Sequence, residues 1–298
     1  MRLRFAIAII LLLAAALAVS PVAGAQTAGT PPTRPDYLAP FPPHHVIGNV
    51  YFVGSKELGI YLIANPEGHI LINAGLEASV PLIQQSVEKL GFRFRDIKIL
   101  LISHAHFDHD AGAARIKELT GAKYMVMDGD VPVVESGGKE DFAYGKLANS
   151  LYPATKVDRV LHNGDTVTLG KTVLTAHLTP GHTRGCTTWT MKAQEAGKAY
   201  DVVIVGSPNV NPGYELTENA AYPQIARDYE KTFTVLESLH CDIFLGAHGG
   251  YYDMEKKYAR LSGGSNPFID PEGYKSYVSE REQAFRRELA IQETGFGR

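Results

Sequence analysis

The sequence has 298 residues, of which 45% are hydrophobic and 20% are charged, proportions that exclude a largely disordered chain. A chain of this length can form one large domain or two small ones. The formal net charge of −3 gives no electrostatic reason to expect a nucleic-acid partner, so we expect a small-molecule partner.

The first 25 residues have the pattern of a secretory signal peptide. Two arginines precede an apolar run from Phe5 to Val19, and small residues follow at Ala23–Ala25. The run is shorter than the roughly 20 residues that span a bilayer, which favours cleavage over an uncleaved membrane anchor. We therefore expect residues 1–25 to be removed. Residues 26–298 would then form a single secreted, periplasmic domain without membrane contact.

The rest of the chain alternates between strand-like and helix-like patterns. Residues 26–45 are rich in proline, threonine and glycine and predict an irregular arm, after which ordered structure begins at Val46. The patterns that follow predict, in chain order, strands at Val50–Val53, Ile60–Ala64 and His69–Asn73, a helix at Val80–Leu90, a strand at Ile97–Ile102, a helix at Gly112–Leu119 and a strand at Lys123–Met127.

The second half repeats this mixture. It predicts strands at Val167–Leu169, Thr172–Leu178, Cys186–Met191 and Tyr200–Val205, a helix at Tyr222–Leu239, a strand at Asp242–Leu245 and a terminal surface helix at Gly273–Glu293. Strands mixed with helices in two similar halves predict two sheets packed face to face, with helices outside them.

The two cysteines, Cys186 and Cys241, invite a disulfide in a secreted chain. The predicted strands place them at opposite ends of a sheet. Five residues of strand cover about 16 Å, whereas bridged cysteines need Cα atoms within about 7 Å. We therefore predict that both thiols are free and buried.

Four metal-capable side chains lie within residues 104–109, directly after a predicted buried strand. If the chain stays extended, His104 and His106 point the same way and can bind one ion. Asp108 and His109 lie past the bend and can reach a second ion. A single histidine is usually a surface or core residue, but three histidines and an aspartate at this spacing favour metal binding.

His182 and His248 lie in similar places, each in a turn that follows a predicted strand. Their small neighbours allow the backbone to approach an ion closely. Histidines and a carboxylate without cysteine suit a zinc ion, and open coordination positions favour a catalytic site over a structural one. The remaining histidines are interpreted as structural or solvent-facing: His44, His45, His69, His162, His177 and His240.

The motif His-x-His-x-Asp-His, followed by Gly-His and then Gly-x-His, resembles the metallo-β-lactamase superfamily. The resemblance extends from about Pro40 to Ala290. It implies an α+β fold, a four-layer αββα sandwich of two β-sheets with helices on the outer faces. It also implies two Zn²⁺ ions per chain, one held by His104, His106 and His182 and the other by Asp108, His109 and His248.

The resemblance also bears on the substrate, through the residues after the strand that ends at Val205. Lactonases and glyoxalase II carry a metal-bridging aspartate there, whereas this chain has Gly206-Ser207. The first two β-lactamase subclasses use a cysteine ligand in this region, and the third uses histidines, commonly with a serine nearby. The third subclass also resembles this chain in four further segments: Pro40–Pro43, Gly68–Ile72, Pro212–Tyr214 and Asn266–Phe268.

The function implied is zinc-dependent hydrolysis of penicillins, cephalosporins and carbapenems, which would confer antibiotic resistance. In this hypothesis the attacking group is a hydroxide shared by the two ions, because metal binding lowers the pKa of water toward about 7. Asp108 would bind the second ion and orient the hydroxide as the catalytic residue. Ser207 and Asn209 would bind the substrate carboxylate, while Tyr214 and the arm near Phe41 would line the cleft.

Two positions depart from the superfamily pattern. Asn73 stands where many members have aspartate, which could alter hydrogen bonds around the metals. Asp110 stands where relatives often carry alanine, and we interpret it as a solvated residue at the start of a helix rather than a carboxylate close to the second ion.

Two other functions stay open at this stage. One is a lactonase or thioester hydrolase of the same fold, similar to glyoxalase II. The other is a periplasmic zinc-binding protein without catalysis. The missing bridging aspartate disfavours the first, and a complete set of six ligands disfavours the second. Nothing in the sequence demands a dimer, so a monomer is favoured.

Overall fold

The computed structural model describes residues 35–295. The predicted signal peptide and the beginning of the predicted arm lie outside these residues. Among the described residues, no helix combines the length and the apolar character needed to cross a membrane.

A seven-stranded sheet contains the first half of the chain, with its strands in sequence order. The strands are β1 (His44–Ile47), β2 (Val50–Phe52), β3 (Tyr61–Ile63), β4 (His69–Ile72), β5 (Ile97–Leu101), β6 (Lys123–Met127) and β7 (Arg159–Leu161). Strands β1 to β4 pair antiparallel, and β4 to β7 pair parallel.

A five-stranded sheet contains the second half, in the order β12-β11-β10-β9-β8. Its strands are β8 (Thr166–Leu169), β9 (Thr172–Leu178), β10 (Thr187–Glu195), β11 (Lys198–Val205) and β12 (Ile243–Gly246). All neighbours pair antiparallel except β11 and β12, which are parallel.

Seven α-helices connect or cover the strands. They are α1 (Val80–Lys89), α2 (Phe107–Asp110), α3 (Ala113–Thr120), α4 (Val131–Glu135), α5 (Ile225–Ser238), α6 (Met254–Tyr258) and α7 (Pro271–Thr294), as counted among residues 35–295. Short 3₁₀ turns occupy Pro35–Tyr37, Glu77–Ser79, Phe94–Asp96, Asp128–Asp130, Ala148–Ser150 and Gly249–Tyr252.

The central strands β2 to β6 of the first sheet are largely buried on both faces. In β4, Ile70 and Ile72 join the core shared with the second sheet, whereas Leu71 joins a separate core under α1 and α3. Alternation of this kind follows from the two-residue period of a strand. Truncating one of these side chains to alanine costs roughly 2–5 kcal/mol. Helices α5 and α7 cover the second sheet through Phe233 and Phe285.

This arrangement confirms the predicted sandwich of two sheets with helices on the outer faces. Cys186 and Cys241 are both free and buried, as predicted. The prediction for the arm was wrong at its end, because strand β1 already begins at His44 and pairs with Phe52 of β2. Strand β7 and helices α2, α4 and α6 were not predicted, since each spans only three to five residues.

Candidate metal centre

Loops that follow β5, β9, β11 and β12 meet at one edge of the sandwich. Because β11 and β12 are parallel, Ser207 and His248 follow the ends of adjacent strands. The carbonyl of Ser103, after β5, accepts a hydrogen bond from the backbone N–H of Thr187 at 2.7 Å, which joins the first sheet to the second. The predicted ligand segments therefore converge although they are far apart in the chain.

Three histidines form the first candidate metal group. The ligand atoms of His104, His106 and His182 all lie within 4.8 Å of one another. His104 Nδ1 lies 3.2 Å from Ser103 Oγ, and His182 Nδ1 donates to the carbonyl of Asn209 at 2.8 Å. These contacts leave Nε2 of both rings for a metal ion.

His106 is oriented by a carboxylate and a phenol. Its Nε2 lies 3.6 Å from Asp141 Oδ2 and 3.4 Å from the Tyr214 hydroxyl, so Nδ1 is left for a metal. Burial alone would lower the pKa of His106, but the Asp141 carboxylate outweighs burial and raises the pKa. Burial lowers the pKa of His104 and His182 well below the usual value, which favours the neutral imidazole that binds metals.

A second group surrounds Asp108. Its Oδ2 lies 3.4 Å from His109 Nε2 and 3.6 Å from His248 Nε2, and the two ring nitrogens are 3.1 Å apart. Two ligand atoms on one tetrahedral zinc ion, each about 2.0–2.2 Å from it, lie roughly 3.3–3.5 Å apart. Burial lowers the pKa of His109 to about 3. The triangle therefore has the size that a metal site requires, and His109 has the neutral imidazole that binds a metal.

The two groups adjoin. The ligand atoms of His104 also lie within 4.8 Å of those of Asp108 and His109, and the His104 and His109 ring centroids are 4.3 Å apart. Five histidines and one carboxylate, with no thiolate, form a donor set that suits zinc. These residues fit two neighbouring metal ions.

A third cluster of metal-capable groups, Asp201, His240 and Asp242, lies at the opposite end of β11. Its acceptors are already engaged. Asp201 Oδ1 pairs with Lys192 Nζ at 2.6 Å, and Asp242 Oδ2 accepts from the Asp201 N–H at 2.9 Å. The cluster is partly exposed, and its contacts make it a surface ion-pair network.

Two of the three residues predicted to bind substrate, Asn209 and Tyr214, contact the first metal group, whereas Ser207 is linked through Tyr251 to His248 of the second group. Ser207 is buried, and its Oγ lies 3.1 Å from the Tyr251 hydroxyl. The backbone carbonyl of Asn209 accepts the hydrogen bond from His182 Nδ1. The Tyr214 hydroxyl donates to the His182 carbonyl at 2.9 Å, so this buried side chain contacts both His182 and His106.

The arm does not approach the site through Phe41, the residue that was expected to line the cleft. Phe41 instead packs in an aromatic cluster with His44, Phe52 and Tyr258. Within the described part of the arm, Tyr37 lies beside the metal groups, with its ring centroid 5.9 Å from that of His248.

The interpretation of Asp110 as a solvated residue was wrong. It is fully buried because the single turn of α2, closed by its N–H to the His106 carbonyl, directs its side chain inward. There the carboxyl accepts a hydrogen bond from the Tyr124 hydroxyl. Burial raises the pKa of Asp110 to about 7, although hydrogen bonds from Tyr124 and Tyr152 act in the opposite direction.

Asn73, the other residue that departs from the superfamily pattern, connects the segments around Gly59 and Ser103. Its side-chain amide donates to the Gly59 carbonyl at 2.8 Å and accepts from the Ser103 N–H at 2.7 Å. Its φ of 69° is a left-handed conformation that asparagine tolerates better than most residues. An aspartate would lack the N–H₂ that donates to Gly59.

Sequence reasoning missed side chains that contact the metal groups or their loops, among them Glu57, Asp130, Asp141 and Tyr152. Glu57 Oε1 lies 3.5 Å from His248 Nδ1, and metal-binding histidines commonly direct their second nitrogen at a carboxylate. None of the four belongs to a local motif, so only tertiary contacts reveal them.

The comparisons with known proteins agree with this geometry. Residues 60–248 match the family model described as the metallo-beta-lactamase superfamily. The chain is similar to the native FEZ-1 metallo-beta-lactamase from Legionella gormanii, with 57% identity, a TM-score of 0.85 and coverage of 86% of this chain and 98% of that one. It is also similar to BJP-1, a subclass B3 metallo-beta-lactamase of Bradyrhizobium japonicum, with 36% identity, a TM-score of 0.83 and coverage of 88% and 98%.

A curated relative, a probable metallo-hydrolase of Burkholderia pseudomallei, is 31% identical over 143 residues, which cover 46% of this chain and 45% of the relative. The chain spans about half the length of the curated relatives it matches.

Proposed function

The chain belongs to the metallo-beta-lactamase superfamily, and from that premise we propose that it hydrolyses the amide bond of β-lactam rings with two bound zinc ions. The observation that carries the proposal is the pair of adjoining groups built from five histidines and Asp108. The similarity to subclass B3 metallo-beta-lactamases over nearly their whole length supports the substrate class.

The residues present provide both metal sites from this chain alone. His104, His106 and His182 would hold one ion, and Asp108, His109 and His248 the other. Bound zinc supplies Lewis acidity and lowers the pKa of water enough to make it a nucleophile near neutral pH.

Asp108 is suited to orient the attacking water. Burial favours its neutral acid, but the neighbouring His109 and His248 outweigh burial and lower its pKa. The carboxylate therefore stays ionised at neutral pH and can accept a hydrogen bond beside the first group. No serine nucleophile is needed, because the attacking oxygen comes from water.

A cleft of about 350 Å³ is bordered by two tyrosines that contact His106, although none of the six candidate metal ligands lines it. Its walls include Phe142, Tyr144 and Tyr214, and the Tyr144 ring centroid is 5.1 Å from that of His106. Ligand pockets typically have volumes of about 300–1,000 Å³, so the volume of this cleft falls within the usual range. Ser207 and Asn209 are our candidates for binding the substrate carboxylate.

The deciding experiment is hydrolysis of a penicillin, a cephalosporin and a carbapenem by purified protein, with and without a zinc chelator. Ring opening that the chelator abolishes and added zinc restores would support the proposal. If zinc-loaded protein opens none of the three rings, the β-lactamase assignment fails. A parallel panel of lactones and thioesters would then test the alternative hydrolases, and zinc binding without any turnover would indicate a zinc-binding protein.

We further propose that the protein acts in the periplasm after removal of residues 1–25 and contributes to antibiotic resistance there. The apolar run and the small residues at 23–25 support this location. Cell fractionation and N-terminal sequencing of the exported protein test it, and a mature chain that begins at Met1 would contradict it.

A further inference from the structure

A buried carboxylate, Asp130, connects the loops that carry the first metal group. It closes the 3₁₀ turn before α4 and is fully buried. Its Oδ2 accepts hydrogen bonds from the Ala105 N–H at 2.9 Å and from Thr183 Oγ1 at 2.8 Å, and its Oδ1 accepts from the Gly185 N–H at 2.7 Å. One side chain therefore receives three donors from two loops.

The positions of these donors matter because of their neighbours. Ala105 lies between His104 and His106, and Thr183 directly follows His182. The peptide groups beside Ala105 are also held from the other side, since the Tyr152 hydroxyl donates to the Ala105 carbonyl at 2.7 Å. The main chain next to every member of the first group is thus fixed by buried side chains.

The backbone of residues 129–130 packs closely against that of residues 184–185, so neither segment can shift far toward the other. A Cβ added to Gly185 would lie 2.4 Å from the backbone nitrogen of Asp130, and one added to Gly129 would lie 2.6 Å from the Arg184 carbonyl. Only glycine allows backbones to approach this closely. The hydrogen bonds of Asp130 to the loop after β9 are therefore made where the two backbones are in close contact.

Among residues 35–295, Asp130 forms no ion pair with a lysine, arginine or histidine within 4.0 Å. A buried carboxylate without a cationic partner is costly to keep ionised, and here three hydrogen bonds hold it in place. If it served only packing, an apolar side chain would fill the same space more favourably. Its three donors instead all come from the loops that carry the ligands.

We propose that Asp130 is a positioning residue that orients His104, His106 and His182 before a metal ion binds. This inference rests on the proposed function, because it assumes that these histidines bind a metal. Partners of metal-binding histidines typically change metal affinity about 10- to 100-fold when mutated. The substitution Asp130→Asn would place an amide N–H₂ against an N–H or O–H donor and should weaken the first site by such a factor.

The test is titration of metal-free protein with Co²⁺ and Zn²⁺ in competition with a chromophoric chelator. Wild-type protein should show two binding steps. Asp130→Asn should weaken one step about 10- to 100-fold, leave the other near the wild-type value, and change the d–d absorption of the cobalt bound at the affected site. Thr183→Val removes one donor and should give a smaller change in the same step.

The matched control is Asp158→Asn. Asp158 also accepts a backbone N–H, that of Tyr124 at 2.8 Å, and it is more exposed and pairs with Lys117 Nζ at 2.6 Å; neither of these contacts involves a ligand loop. The Asp158→Asn substitution should leave both metal-binding steps unchanged. Circular dichroism of each metal-free variant reports folding, and if Asp130→Asn fails to fold, Thr183→Val still tests the inference. Folded variants of Asp130 and Thr183 with wild-type affinity at both sites would overturn it.

These titrations use no substrate, so the two proposals can fail separately. Two metals bound without β-lactam turnover would reject the function and leave the role of Asp130 to be decided by the variants. Wild-type protein that binds no metal would reject both.

Discussion

Nε2 of His109 lies 3.1 Å from Nε2 of His248, and Asp108 Oδ2 completes a triangle with them at 3.4 and 3.6 Å. Two facing imidazole nitrogens can share one hydrogen, but the third acceptor beside them has no donor left. A cation at the centre of the triangle satisfies all three atoms at once. The geometry therefore indicates a metal site in which Asp108 and His109 depend on His248, a residue well over a hundred positions later in the sequence.

The substitution His248→Ala should reduce the bound zinc from two equivalents to one, because it removes one corner of this triangle. Turnover of a β-lactam should fall on the order of 100-fold or more, exceeding the usual effect of a residue that only supports a ligand. Elemental analysis after dialysis gives the metal content. His240→Ala, at the surface ion-pair network, is the control and should keep both ions. Two retained ions in His248→Ala would remove His248 from the second site.

The Ser207 hydroxyl should act on substrate binding rather than on the chemical step. Its Oγ lies on the loop after β11 and contacts the Tyr251 hydroxyl, and the Tyr251 ring centroid is 5.1 Å from that of His248. A lost neutral hydrogen bond is worth about 0.5–1.5 kcal/mol, so Ser207→Ala should raise KM roughly 3- to 10-fold while kcat changes less. Steady-state kinetics with one cephalosporin measures both constants.

Tyr251→Phe is the matched control, since it removes the partner of Ser207 and keeps the ring beside His248. It should change KM by less than Ser207→Ala does. If KM stays at the wild-type value in Ser207→Ala, the serine has no role in binding the substrate carboxylate.

How far the sequence predicts this molecule depends on whether a feature is local. Strands β6 and β9 have the predicted bounds, because a short continuous apolar run in β6 and alternating apolar residues in β9 are each enough to define a strand. Strand β7, at Arg159–Leu161, has two exposed residues out of three and forms only because β6 lies beside it. No local pattern could have indicated it.

The candidate site divides in the same way. The metal-capable residues of segment 104–109 stand out because they are crowded together in sequence. Asp130 and Asp141 are single acidic residues in ordinary surroundings, and their importance comes from segments that folding brings to them. Asp110 was misjudged for the related reason that a helix start is usually solvated, whereas α2 is a single buried turn packed against Tyr124 of β6.

Loss of the Asp110 carboxyl should destabilise the protein, since Tyr124 would keep a buried hydroxyl with no acceptor. Such a group costs about 1–3 kcal/mol, so Asp110→Ala should lower the free energy of unfolding by that amount. Asp110→Asn keeps an acceptor oxygen and should cost less. Urea denaturation of metal-free protein measures the free energy of unfolding of both variants.

The control is Asp128→Ala, at an exposed site in the 3₁₀ turn Asp128–Asp130, which should change stability by at most about 0.5 kcal/mol. If Asp110→Ala and Asp128→Ala changed the free energy of unfolding equally, the buried hydrogen bond between Tyr124 and Asp110 would not contribute to stability as proposed.

His44 should make the protein less stable as the pH falls. Its ring lies between Phe52, Tyr258 and Phe268, with centroids 4.8–5.6 Å away. Nδ1 donates to the Pro42 carbonyl, and the buried Nε2 has no hydrogen-bond partner among the described residues. Burial lowers the pKa of His44 to about 4, and the nearby His45 acts in the same direction. Protonation would place a charged N–H against aromatic rings.

The sign follows from proton binding. Above pH 6.5 the imidazole of His44 is neutral in both states and contributes no pH dependence. Between pH 6.5 and about 4 the unfolded chain binds a proton that the folded chain refuses, so stability falls as the pH falls. The loss attributable to His44 is about 2 kcal/mol at pH 5. His44→Phe keeps an aromatic ring without a titrating group and should lose this part of the pH dependence.

The measurement is urea denaturation of wild-type and His44→Phe protein at several values between pH 5 and pH 7.5, both without metal. The metal-site histidines titrate equally in the two proteins, so their contribution cancels in the difference. That difference should shift by about 2 kcal/mol in favour of His44→Phe as the pH drops to 5. A difference that stays constant with pH would mean that the folded protein accommodates a charged His44, and that the unpartnered Nε2 reaches an acceptor once it is protonated.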